Sequence, residues 1–287
     1  MIPFEFIEDT FDKKNTSVYE LSILLGMDSF VYMITDGQQQ LQVLSQFPFR
    51  DQQHPYHSKH YPLEALEAYL NKHALLKARF RTVKLGIHSS LFTLIPERLY
   101  SEKDKKNLLI HLSETAALHE VRADQLGNLN SRLVYSLDRK LADLIKRHFS
   151  SARIFNMNST MLLATHQLAS QEREGYQFYL HVDGHYMRIF LFEGKNLLAA
   201  TQNAYQAPQD LVYYVLLTFE QFRLSPADQP VFVCGSIHRD SDLYNQLYRY
   251  VQHIHYLKAP AFLQKGPQTK AIAEYQFFDL FSSLLLN

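Results

Sequence analysis

Tyr176-Gln-Phe-Tyr-Leu-His-Val-Asp-Gly-His-Tyr186-Met-Arg-Ile-Phe-Leu-Phe-Glu-Gly-Lys-Asn196-Leu-Leu-Ala-Ala-Thr-Gln-Asn-Ala204 decides the fold of this 287-residue chain. Tyr176, Phe178, Leu180 and Val182 alternate with their neighbours, which puts them on one face of an extended strand. Asp183-Gly184 is a hairpin signal, because glycine accepts the positive φ that tight two-residue loops need. Residues 186–192 read as a second strand. Glu193-Gly194-Lys195-Asn196 turns the chain again, and residues 197–204 form a third strand. The stretch is a three-stranded antiparallel meander.

Working outward, Pro208 stands where a first-turn proline belongs. Leu211, Val212, Val215, Leu216 and Phe219 then recur as the apolar face of a helix. Val231-Phe-Val-Cys234 reads as a short buried strand ending in Gly235-Ser236. Ser241 can cap a helix carrying Leu243, Leu247 and Val251, and residues 253–257 read as a last strand. The order is βββαβαβ.

The first half starts the same way. Strands are expected at 18–25, 30–35 and 41–47, with turns at Gly26-Met27-Asp28-Ser29 and Asp36-Gly37. A helix over 62–78 bears Leu63, Leu66 and Leu70, and a strand follows at 82–88. A shift of 157 residues lays Asp36-Gly37 on Glu193-Gly194, Gly26 on Asp183 and Asp28 on His185. The repeat lives in element order and turn placement rather than in side-chain identity. Extra material follows in this half: a strand at 92–97, strands within 107–135 around Gly127, a helix over 136–149, a strand at 153–156 and a helix over 160–169. The polar segment Gln171-Glu-Arg-Glu-Gly175 marks the lobe boundary. The expected organisation is a first lobe with an inserted subdomain at 1–172 and a second lobe with a C-terminal helix at 173–287.

Bulk properties narrow the function mostly by exclusion. With 29 basic and 29 acidic residues, the chain shows no electrostatic footprint for nucleic acid. Glu102-Lys-Asp-Lys-Lys106 mixes signs and reads as a solvated segment, with a local phosphate patch as the sharper alternative. A hydrophobic fraction of 46% suffices for large cores. The single cysteine, Cys234, allows no intramolecular disulfide and fits a reducing, cytoplasmic setting. No stretch reaches the ~18 uninterrupted apolar residues of a membrane span, and no signal peptide is read at the start. Tyr (18) and Phe (20) without any Trp suit half-buried interface positions, though a tyrosine-rich core edge is the simpler reading.

The repeated unit resembles the architecture of actin, the sugar kinases and the heat-shock ATPases. More narrowly, four segments carry a resemblance to the bacterial domain-of-unknown-function family 3822, whose members are assigned the actin-like ATPase fold. They are Phe92-Thr-Leu-Ile-Pro-Glu-Arg-Leu-Tyr100, Tyr179-Leu-His-Val-Asp-Gly-His-Tyr-Met187, Val233-Cys-Gly-Ser236 and Tyr275-Gln-Phe-Phe-Asp-Leu-Phe281. The resemblance implies an α/β, two-lobed actin-like ATPase fold from a duplicated βββαβαβ unit, with an insertion in the first lobe. It also implies ATP and Mg²⁺ as candidate cofactors in an interlobe cleft. Fold alone licenses no activity.

Phosphoryl transfer needs backbone N–H groups around the phosphates, acidic side chains near Mg²⁺ and a group that orients the nucleophile. Active actin-like proteins offer an Asp-x-Gly hairpin in each lobe and a glycine pair for the nucleoside. Here Gly26, Asp28 and Ser29 stand in the wrong order for Asp-x-Gly. Asp183, Gly184 and His185 lack the spacer, and Gly235-Ser236 keeps one glycine of the pair. These eight are the candidate nucleotide-binding residues, and no catalytic residue is assigned. One reading is a pseudo-ATPase, a non-catalytic or weakly nucleotide-binding module whose partner is another protein. The alternative is a Mg-dependent hydrolase or kinase in which Asp28 and Asp183 hold the metal nucleotide. Plain turn chemistry also explains both aspartates.

Other clusters read more blandly. His54, His57 and His60 are spaced for a metal but lie between Pro55 and Pro62 in a loop with no preset geometry. His181, Asp183 and His185 straddle a turn, so hairpin polarity accounts for them. Cys234 stands at a strand end before Gly235-Ser236, where a nucleophile could sit, but with no base placed for it the residue reads as a small buried hydrophobe. Ser89-Ser90 lacks a nucleophile-elbow pattern. The aromatic stretch at 275–286 is either the first surface to suspect for a partner or part of the core.

Overall fold

The first strand, Phe4–Ile7 (β1), is an edge strand that the sequence pattern did not announce. It runs antiparallel to Gln40–Pro48 (β4), with Phe4 opposite Gln46 and Ile7 opposite Val43. Between them come Glu20–Leu25 (β2) and Ser29–Thr35 (β3). Leu21, Ile23, Leu25 and Ile34 are wholly buried or nearly so, as are Ser22 and Thr35. Both faces of these central strands are therefore covered, which is why their sequences run apolar almost without break.

Leu63–Lys72 (α1) leads to Thr82–Ile87 (β5), which lies parallel to β2. The helix is shorter than the expected 62–78, and a 3-10 turn at Leu75–Lys77 completes the span. Gly86 on β5 is required by packing, since a Cβ there would stand 2.4 Å from Leu24 and 2.7 Å from Phe155.

The inserted material is a three-stranded antiparallel sheet. Phe92–Pro96 (β6) and Glu120–Leu126 (β7) flank Ser131–Leu137 (β8). Lys105–Ile110 (α2) covers it and contributes Leu109 to a small core with Val121 and Val134. The expectation of strands across 107–135 thus fails at its start, where a short helix stands. The helix expected from Ser136 begins later, because Ser136 and Leu137 belong to β8. Asp138 then caps Arg139–His148 (α3) by accepting from Leu141 N–H at 3.1 Å. Arg153–Asn156 (β9) joins β5 in parallel, and Met157–Ala169 (α4) follows.

Asp124 on β7 ties the inserted sheet to the start of α4. It accepts from Asn156 N–H at 2.7 Å, Ser159 O–H at 2.6 Å and Tyr135 O–H at 3.3 Å. Burial pushes its carboxyl up to about 6 despite these donors. The folded protein therefore holds the proton to higher pH than the unfolded chain does. Stability from this group is full below about pH 4 and declines as pH rises through about 6, by roughly 2–3 kcal/mol in all. Denaturant midpoints measured from pH 4 to 7 should show that decline, and Asp124→Asn should flatten it. An unchanged profile in the variant would assign the decline to another group.

The second sheet contains Tyr176–Asp183 (β10), Tyr186–Glu193 (β11), Asn196–Ala204 (β12), Val231–Gly235 (β13) and Ile254–Tyr256 (β14). Pro208–Gln221 (α5) and Asp242–Tyr248 (α6) connect them. Asp210 reaches back to the N–H groups of Gln206 and Ala207, both at 2.9 Å, which satisfies donors at the start of α5. Ser241 caps α6 through Tyr244 N–H. Phe178, Leu180, Val182, Met187, Ile189 and Leu191 meet Leu211, Val215, Phe219 and Leu247 in one core. Each such side chain contributes about 1.5–3 kcal/mol by leaving water.

The two sheets repeat one topology. The order is β4-β3-β2-β5-β9 in one and β12-β11-β10-β13-β14 in the other, three antiparallel strands followed by two parallel ones. The ladder irregularity between Ile34 and Thr35 recurs between Leu191 and Phe192, 157 residues on. The last short strand, Gln264–Lys265 (β15), returns to pair with β4.

The structure describes residues 3–49, 61–110, 112, 119–172 and 175–286. They divide into two compact units. One is Met1–Thr160 with Pro260–Ile272 and Ser283–Asn287; the other is Met161–Ala259 with Ala273–Ser282. In the first unit the Glu8 carboxylate, 3% exposed, accepts from Thr269 N–H at 2.8 Å, Thr269 O–H at 2.7 Å and Gln268 N–H at 3.3 Å. The expected C-terminal helix is broken into a 3-10 turn at Glu274–Phe277, a helix at Phe278–Ser282 (α7) and a second turn at Ser283–Leu285. Phe277, Phe278, Leu280, Phe281, Leu284 and Leu286 are buried, so these apolar side chains of 275–286 belong to the core. No helix among the described residues is long and apolar enough to cross a membrane.

Candidate functional site

In the first unit, Gly26, Asp28 and Ser29 lie where β2 turns into β3. Gly26 N–H donates to Ser29 C=O at 2.9 Å, and Phe49 N–H donates to Asp28 C=O at 2.8 Å. Ser29 is buried and Asp28 half-buried. The hairpin closes on its own backbone.

In the second unit, the turn between β10 and β11 holds Asp183, Gly184 and His185. Gly184 has φ +56, as the first central position of a II′ loop requires. Its carbonyl accepts from Tyr205 O–H at 2.6 Å. His185 C=O accepts from Tyr205 N–H at 2.9 Å.

Gly235 and Ser236 follow β13, which runs parallel to β10, so the two ends come together. Gly235 pairs with Val182 in the ladder, and Ser236 N–H donates to Val182 C=O at 2.8 Å. Gly235 has φ +86, and a Cβ there would stand 2.0 Å from Val182 O. The one glycine kept from the expected pair is thus held by the protein's own strand. Asp183, Gly184, Gly235 and Ser236 are brought to one end of this sheet.

The register also builds a polar row that the sequence reading missed. Gln202, Arg188, His181 and Cys234 stand side by side on β12, β11, β10 and β13. They occupy the face opposite the core that α5 and α6 cover, because they alternate with its members. Arg188 is 0% exposed. Its Nε donates to Gln202 Oε1 at 2.9 Å, its Nη1 to His181 Nδ1 at 2.9 Å, and Nη1 lies 3.5 Å from Asp183 Oδ2. Guanidinium only donates, so His181 Nδ1 is the acceptor and Nε2 carries the proton. Nε2 points at Asp279 Oδ2 on α7 from 3.3 Å, without hydrogen-bond alignment. A lone Arg in the apolar run Met187-Arg-Ile-Phe-Leu-Phe192 was the available signal, since a buried charge requires an acidic or polar partner.

Cys234 is fully buried, and burial followed by the Asp279 charge pushes its thiol well up. It is a neutral packing group, not an activated nucleophile. Among the described residues no cluster of three or more His, Cys, Asp and Glu is placed to hold a metal ion. His54, His57 and His60 lie outside the described residues.

The five-stranded topology, present once in each unit with its hairpin turns, defines an actin-like ATPase fold. The chain belongs to the family described as "Protein of unknown function (DUF3822)", whose model matches residues 8–254. Among solved structures it is similar to a Bacteroides thetaiotaomicron VPI-5482 protein with an actin-like ATPase fold and unknown function. Identity is 19% over 86% of this chain and 94% of that one, with a TM-score of 0.75. It is also similar to a chain of the PilM-PilN type IV pilus biogenesis complex. There identity is 10% over 93% of this chain and 98% of that one, with a TM-score of 0.67. No curated protein sequence matches the chain.

Proposed function

We propose that this chain is a pseudo-ATPase, a non-catalytic or at most weakly nucleotide-binding actin-like-fold protein that works by engaging another protein. The observation that carries the reading is Arg188. A fully buried guanidinium stands 3.5 Å from Asp183 Oδ2, beside the carboxylate that the fold resemblance offers to Mg²⁺. A resident cation there disfavours a second one, and the residues present fit a magnesium–triphosphate poorly. Two backbone donors at the other candidate positions are already engaged: Gly26 N–H with Ser29 and Ser236 N–H with Val182. The similarity to a chain in a PilM–PilN complex supports a protein partner as the target. The reading takes the protein to be bacterial and cytoplasmic, in keeping with its single, buried Cys234.

The second reading, a Mg-dependent ATP hydrolase or kinase, rests on Asp28 and Asp183, which each stand at a hairpin end. Calorimetric titration of tag-free protein with MgATP and with ADP separates the two. The expected result is no saturable heat and no thermal shift with either nucleotide. Mg-dependent turnover that disappears in Asp28→Ala or Asp183→Ala would replace this proposal with the second reading.

A further inference from the structure

Open sheets end in edges, and most edges of this protein are guarded. Among the described edge strands, β14 has three residues. β9 has four and begins with Arg153. β1 has four and carries Glu5. β6 ends in Pro96, and β7 carries Glu120, Arg122 and Asp124. Shortness, charge and proline are the devices that keep edges from pairing.

β12 lacks those devices, and β4 has only its terminal Pro48. β4 and β12 are each nine residues long and contain no charged residue. They hold the same place in the repeated topology, third strand of the meander. The outer edge of β4 is covered, by β1 over residues 43–46 and by β15 over residues 40–41. No described strand covers the outer edge of β12.

The phase of the β11–β12 ladder identifies the exposed donors. Tyr205 N–H donates to His185 C=O, so Thr201 and Asn203 face β11 with their backbone groups. Ala200 and Ala204 turn theirs outward. Ala199, Ala200 and Thr201 are small, which leaves room for a neighbouring backbone.

We infer that the outer edge of β12 is a docking site for one extended strand of a partner protein, added as β1 is added to β4. This inference rests on the protein-binding reading above and names its surface. The occupant is a peptide segment with no charge opposite 198–204. A second copy is disfavoured by area, because two nine-residue edges side by side fall well short of the roughly 1,200 Å² of a stable interface. Main-chain hydrogen bonds supply the affinity in such additions, and alternate side chains supply the selection.

The test uses the full chain and a panel of acetylated, amidated hexapeptides alternating Val or Phe with Thr or Ser. Amide hydrogen exchange at 198–204 is followed as peptide is added, with anisotropy of a labelled peptide giving affinity. We expect saturable binding that slows exchange at Ala200 and Ala204. Ala200→Pro, which removes an outward donor, should weaken binding by about tenfold or more. Ala204→Lys serves the same purpose if the proline variant does not fold. The inference is overturned if no panel member slows exchange at millimolar concentration, or if affinity is unchanged in both variants. It is also overturned if 198–204 are protected without peptide in a self-associated chain, which would make a second copy the occupant. The nucleotide titration decides the pseudo-ATPase reading separately: ATP turnover with peptide-protected β12 amides would remove that reading and leave the edge site standing.

Discussion

Arg188→Ala is expected to lower the free energy of unfolding by about 3–5 kcal/mol, the usual cost of removing one member of a buried charged network. The loss has three parts. Gln202 Oε1 and His181 Nδ1 each lose a donor 2.9 Å away, and Asp183 loses its cationic neighbour. The vacated volume is fully buried, beside the equally buried His181. Arg188→Lys should recover only a fraction, because a single ammonium cannot reproduce the fork that reaches Gln202 and His181 together. Urea or guanidinium unfolding of the three proteins measures both effects. A double-mutant cycle with Asp183→Asn then isolates the part that belongs to the pair. A loss below about 1 kcal/mol in Arg188→Ala, within the range of ordinary substitutions, would remove Arg188 as the organiser of this end of the sheet.

Gly235→Ala is expected to be comparably severe, about 3–4 kcal/mol from left-handed backbone strain and overpacking together. The new Cβ meets a backbone oxygen, Val182 O, at 2.0 Å, and no rotamer change can move it. Relief requires β10 and β13 to part, which breaks the Ser236–Val182 hydrogen bond. Gly127→Ala is the control, since nothing lies within 4 Å of its would-be Cβ. The control should shift stability by about 0.5 kcal/mol or less. Equal melting of the two variants would mean that the β10–β13 junction yields more easily than its geometry implies.

What the sequence made legible follows from where local signals dominate. The meander over 176–204 was readable because alternation and glycine turns are written in adjacent residues. The same holds for α5, announced by Pro208 and its apolar face, and for the repeat of element order. The family resemblance agrees with the match over residues 8–254 and with the fold of the two solved structures. β1 and β15 escaped because Phe4–Ile7 and Gln264–Lys265 are too short to show a period; they are strands only because β4 offers an edge. Lys105–Ile110 escaped because six residues make a helix only when Leu109 finds Val121 and Val134.

The candidate site was legible in its turns and not in its wiring. Asp183-Gly184 and Gly235-Ser236 announced themselves through turn chemistry, and the parallel β10–β13 register joins them. Arg188 was passed over because the pattern of its strand is apolar, and its partners come from two other strands: Gln202 on β12, and His181 and Asp183 on β10. Cross-strand neighbours are fixed by register, which no single strand encodes.

The clasp between Glu8 and Thr269 sets an order of events during synthesis. Both units draw on late segments: the second adds Ala273–Ser282 to the run Met161–Ala259, and the first needs Pro260–Ile272 to finish β4's edge and to supply the donors that Glu8 accepts. A ribosome adds about 5–20 residues per second, so the first unit waits roughly 5–20 s after Thr160 for its closing segment. Through that interval a nine-residue uncharged strand is guarded by β1 alone, with an unsatisfied carboxylate at its flank. Nascent chains stalled before residue 260 should therefore engage holding chaperones or aggregate, and chains stalled far enough beyond 272 for that segment to clear the exit tunnel should do so less.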